Sequence, residues 1–119
     1  NLKLLSGMLP SFDTQIRKAE KRGDLVSVNH RVTEFLASYF DIIFALNEMM
    51  HPGEKRMQSI CSQECKLLPR NFDVNLHRLF DGLYRENISG IISEMVEEIR
   101  KIAQMQSGRE DPLQNKTKA

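Results

Sequence analysis

Apolar side chains recur at intervals of three and four along most of the chain, the spacing of one face of an α-helix. The longest such run, from Leu25, sets Val28, Val32, Leu36, Tyr39, Phe40, Ile43, Leu46 and Met50 on one broad face with it. Glu34, Asp41, Ala45 and Glu48 fall opposite. At about 1.5 Å per residue this helix spans on the order of 38 Å, enough to act as the central member of a bundle. It is expected to stop before Pro52, because the residue preceding a proline is pushed out of the α region. His51-Pro52-Gly53-Glu54 carries proline and glycine at the middle positions of a type II turn, and Glu54 suits the positive end of a following helix.

Four further helices read from the same periodicity. The stripe Leu2, Leu5, Leu9, Phe12, Ile16 and Ala19 is interrupted by Pro10, and proline belongs in a first turn, so the main first helix starts near Pro10 or Ser11. Gly23 ends it, after the basic run Arg17, Lys18, Lys21 and Arg22, and Asp24 or Ser27 caps the central helix. The connection is short, so these two helices are antiparallel neighbours. A third helix covers about Glu54 to Leu67, with Met57, Ile60, Cys61 and Cys65 on one side and Pro69 closing it. A fourth covers about Phe72 to Tyr84 through Leu76, Leu79, Phe80 and Leu83. The fifth covers about Asn87 to Met105 through Ile88, Ile91, Ile92, Met95, Ile99 and Ile102. The expectation is an all-α fold, an antiparallel bundle of about five helices around a long central one.

A chain of 119 residues forms one domain and buries roughly two-thirds of its unfolded surface. The bundle is expected at residues 1–107 with a polar tail at 108–119, and, with the apolar periodicity already under way at Leu2, the expectation is of a domain cut from a longer chain. The 17 basic residues are nearly balanced by 16 acidic ones, for a net charge of +1, which gives no footprint for non-specific nucleic-acid binding. No apolar run approaches the roughly 20 residues of a membrane span. Two cysteines four apart suit small buried groups better than a disulfide framework, so a cytoplasmic setting is expected. Two thiols also fall short of the four ligands of a closed zinc site, and no cofactor or metal is expected in this domain.

Asn29 and Asn47 lie near the centre of the apolar face of the central helix on this wheel and are expected inside. There an unpartnered amide costs roughly 1 to 3 kcal/mol, so each must bond to a neighbouring helix or line a cavity. Arg70-Asn71 followed by His77 resembles the arginine–histidine spacing of ribonuclease domains in the helical family called higher-eukaryote-and-prokaryote nucleotide-binding. In that chemistry the arginine stabilises a phosphorane and the histidine moves the proton of a 2′-hydroxyl. Such a spacing also arises by chance among nine arginines and three histidines. A cleft for it could form across a homodimer axis. The glutamates Glu94, Glu97 and Glu98 read as a solvated face.

Val28-Asn29-His30-Arg31 and the run Tyr39-Phe40-Asp41-Ile42-Ile43-Phe44-Ala45-Leu46-Asn47-Glu48, followed by His51-Pro52-Gly53-Glu54-Lys55-Arg56, resemble a helical domain of unknown function. That domain is found C-terminal to nucleotidyltransferase-like domains in bacteria and archaea, and is similar to the substrate-binding bundles of small nucleotidyltransferases. The resemblance implies a non-catalytic substrate-binding or interface domain beside an N-terminal nucleotidyltransferase-like partner. The partner, rather than this chain, would hold nucleotide, magnesium and the paired carboxylates, which are missing here. Asn29, Asn47, His51, Lys55 and Arg56 then form the polar contact surface, facing a nucleotide or phosphorylated substrate. The alternative is a ribonuclease-type domain using Arg70, Asn71 and His77.

Overall fold

A computed structural model describes residues 9–53, 55–83, 85 and 87–110. Five helices follow in order: α1 (Leu9–Lys21), α2 (Leu25–Leu46), α3 (Met57–Glu64), α4 (Phe72–Gly82) and α5 (Ser89–Glu110). The fold is all-α, with no strand among the described residues. The expected stripe through Leu2 and Leu5, the cap at Glu54 and residues 111–119 of the expected tail lie outside the described residues.

The turn between α1 and α2 follows from local chemistry. Gly23 takes a left-handed φ of 67°, its amide donates to the Glu20 carbonyl and that of Asp24 to Ala19, the paired bonds of a Schellman motif. The Asp24 carboxylate then accepts from the Ser27 amide at 3.2 Å and its hydroxyl at 2.7 Å. Those bonds, the hydroxyl's first, hold the Asp24 carboxyl below its ordinary range.

α2 departs from expectation at its far end. It stops at Leu46 rather than running to Pro52. Glu48 adopts a φ of 56° and forms a second Schellman motif, with its amide donating to Ala45 and that of Met49 to Phe44. A glutamate occupies the position that glycine normally fills, so nothing in the residue type announced the stop. α3 is shorter than expected for a related reason: Arg56 before it is left-handed and Cys65 after it is extended. α5 runs to Glu110, beyond the Met105 at which it was expected to end.

α1 packs on α2 and α5, α2 on α5 and α3, and α4 on α5, so α5 shares the centre with α2. The core joins Ile16 of α1, Phe35, Tyr39 and Ile43 of α2, Leu76 and Leu79 of α4, and Ile92, Met95 and Ile99 of α5. Tyr39 gathers rings from two helices, with Phe35, Phe40 and Phe72 at centroid distances of 5.5, 5.7 and 6.3 Å. The buried face of α2 centres on Phe35 and Tyr39, not on Leu36, which is half-buried. That is a rotation of roughly 50° from the wheel above. Leu25 and Met50, assigned to the apolar face, are exposed for a different reason: Leu25 is the first residue of α2 and Met50 lies beyond its end. Polar ties fasten the helices as well: the Ser93 hydroxyl donates to Asp13, and the Ile88 amide before α5 donates to the Glu20 carboxylate at 2.6 Å. No helix among the described residues is long and apolar enough to cross a membrane.

Candidate functional site

The region from the end of α2 to the start of α3 is organised by Asn47. At the C-cap of α2, its amide nitrogen donates to the Ile43 and Leu67 carbonyls, both at 2.8 Å. Its oxygen accepts from the Leu67 amide at 2.8 Å. The side chain thereby pairs with a backbone residue as one strand pairs with another, and ties the segment after α3 to the end of α2. Asn47 is half-buried and bonds across the fold as expected, in a structural capacity.

Asn29 is the correction. It is exposed, because the buried face of α2 is turned away from it, toward Phe35 and Tyr39. The deeply buried amide belongs to Asn75, 1 % exposed, whose oxygen accepts from Arg78 at 2.9 Å. Its signal was present in the sequence: Phe72, Asn75, Leu76 and Leu79 share one helical face.

His51 is exposed and fully employed in its own turn. Its Nδ1 accepts from the Gly53 amide at 3.0 Å, which leaves the proton of the neutral ring on Nε2, 3.5 Å from the Asp41 carboxylate. The ring stands edge-on to Phe44 at 5.3 Å. Gly53 has φ 96°, suited to the third position of a type II turn. Lys55 and Arg56 follow, both exposed, and neither meets a carboxylate in an ion pair among the described residues. Arg56 is left-handed with φ 59° and ψ 27°, is the N-cap of α3, and leaves that cap without a side-chain hydrogen bond. The first turn of α3 holds no acidic residue. Two cations therefore flank amide donors at the positive end of a helix.

Arg70, Asn71 and His77 do not assemble in this way. Asn71 takes φ 61° as the N-cap of α4, a conformation that asparagine tolerates better than most residues. Arg70 is exposed in the turn before it. His77 lies on the outer face of α4, its Nε2 3.2 Å from Asp81. It borders a groove of about 460 Å³ with Gln58, Asp73, Val74, Arg78 and Phe80, and Arg70 is not part of that lining. Within the groove Asp73 is already occupied by Gln58 and Ser62.

Between α2, α3 and α4 lie two free thiols and a buried phenol. Burial pushes the Cys61 thiol up to about 12, assisted by Cys65, and raises Cys65 as well. The Tyr39 hydroxyl has no hydrogen-bond partner among the described residues, and burial raises it above the ordinary tyrosine range. Among the described residues no group of three or more histidine, cysteine, aspartate or glutamate side chains is placed to hold a metal ion. Comparison of the chain with family models, curated proteins and solved structures gave no match in any of the three.

Proposed function

We propose that the chain is a non-catalytic binding module whose recognition corner is Lys55 and Arg56 at the start of α3, and whose ligand bears a phosphate group. The observation that carries this reading is the uncapped amino end of α3 flanked by two exposed cations, with no acidic residue in its first turn. A helix amino terminus favours an anion through its amide donors and dipole. Arginine adds a bidentate fork and lysine a point charge. His51 is spent on Gly53 and Asp41, and Asn47 on Leu67, so both hold the corner in shape rather than touch the ligand. The association with a nucleotidyltransferase-like partner domain, which would supply magnesium and the reacting carboxylates, draws its support from the resemblance of residues 28–56.

The test is calorimetric titration of the chain with ATP and with pyrophosphate, beside the Lys55→Ala/Arg56→Ala variant. The double substitution should weaken binding by more than about tenfold, or 1.4 kcal/mol, and leave the melting temperature unchanged. Equal affinity in both proteins, or no heat from either ligand with the unsubstituted chain, overturns the reading.

A further inference from the structure

The structure points to a second site, made of sulfur. We propose that Met49, Cys61 and Cys65 form a three-coordinate site for a soft monovalent metal ion, copper(I). The Cys65 Sγ lies 3.8 Å from the Met49 Sδ, and Cys65 lies one helical turn from Cys61, its amide donating to the Cys61 carbonyl at 3.1 Å. A metal–sulfur bond of about 2.3 Å in a trigonal plane sets the ligand sulfurs roughly 4 Å apart. The observed edge needs almost no adjustment.

The spacing of Cys61 and Cys65 alone argued against a metal, because zinc demands four ligands and the chain lacks the other two. A thioether changes the count. It is a poor ligand for zinc, but with thiolates it selects copper(I), which is satisfied by three sulfurs. The third donor comes from a distant stretch of sequence, through the left-handed stop at Glu48 that turns Met49 back toward α3. Asn47 then holds the arrangement. It lies two residues before Met49 and pairs with Leu67, two residues after Cys65, so both arms of the site spring from one clamped point. Cys61 is fully buried, and the half-buried Met49, Cys65, Leu67 and Leu68 pack against the same core. Burial of Cys61 limits the approach of water oxygens on that side and suits a low coordination number.

Loading involves no electron transfer. Copper(I) binds the two sulfurs of Cys61 and Cys65 as thiolates and the Met49 thioether as a neutral donor, and two thiol protons pass to solvent. The complex carries one net negative charge.

The experiment is anaerobic transfer of copper(I) from its bicinchoninate complex to the chain, with X-ray absorption at the copper edge on the loaded protein. One copper(I) per chain is expected, with three sulfur neighbours at about 2.3 Å. Met49→Leu, close in volume, should keep the melting temperature and lower copper(I) affinity by about tenfold or more, and Cys65→Ser should abolish transfer. Cys61 is too deeply buried for its replacement to be decisive. The proposal is overturned by failure of the chain to withdraw copper(I), by an absorption spectrum showing two sulfurs, or by equal affinity in the Met49→Leu variant. Binding of zinc(II) as tight as that of copper(I) also overturns it.

Discussion

Asn47 and Leu67 exchange two hydrogen bonds of 2.8 Å, the amide of one side chain pairing with the backbone N–H and C=O of the other residue. Twenty residues of chain are closed into a loop by that single contact. Asn47→Ala strands both Leu67 groups in a half-buried place and removes the bond to Ile43. Chemical denaturation should show a loss of about 2 kcal/mol. Asn47→Asp should lose a similar amount, because its carboxylate cannot donate to the two carbonyls. A loss of a few tenths in both variants would mean that water replaces the clamp.

Glu48 holds a left-handed conformation that strains any residue with a Cβ. Glu48→Gly should therefore stabilise the fold by about 1 kcal/mol, measured by urea midpoint. At Gly23 the same motif already has its glycine, with open space around the added carbon. Gly23→Ala should destabilise by about the same amount, purely through φ. The two variants should move the midpoint in opposite directions, and movement in the same direction would dismiss backbone strain as the cause.

These two turns show what a sequence can disclose. Gly23 followed by Asp24 marks a helix stop and a cap in residue types that prefer those positions, and the first break in the fold was legible there. Glu48 prefers the helix interior. Its left-handed turn is imposed by Asn47 reaching Leu67, a tertiary bond that local periodicity does not encode. The same blindness misplaced Asn29: a wheel centred on Leu36 ignores Phe35, whose burial depends on where Phe12 and Tyr39 place their rings. Asn75, by contrast, could have been read from its neighbours Phe72, Leu76 and Leu79. Among the candidate contacts, the exposed pair Lys55 and Arg56 was legible from the Pro-Gly turn before it, whereas the employment of His51 by Gly53 and Asp41 was not.

Tyr39 makes the chain sensitive to alkali. Its folded-state ionisation lies above the ordinary value of 10.0, chiefly because of burial. Below that value both states keep the proton. Above it the unfolded chain loses the proton while the folded one retains it, so stability falls as pH rises. Tyr39→Phe removes a hydroxyl with no partner among the described residues. It should leave stability at neutral pH unchanged or slightly higher, and flatten the decline above about pH 10. An unchanged alkaline melting profile would show that Tyr39 is not the responsible group.

Glu20 joins elements 68 positions apart by accepting the Ile88 amide at the entrance to α5. Glu20→Ala should destabilise by about 1 to 2 kcal/mol, read by thermal melting, because it leaves that amide unsatisfied. A change within a few tenths would indicate that solvent caps α5 equally well.

The helix α3 buries a single side chain completely, Cys61, whereas α2 buries eight. Its attachment therefore depends on the clamp at its ends and on the exposed bonds of Gln58 and Ser62 to Asp73 more than on apolar burial, and the free energy needed to lift it away lies well below that of global unfolding. Amide protons of α3 should exchange with solvent ahead of those in the middle of α2. The stretch between Asn47 and Leu67 behaves as a hinged panel, latched at its base by Asn47 and along its outer edge by the exposed bonds of Gln58 and Ser62 to Asp73, able to swing open and shut many times while the rest of the protein stays folded.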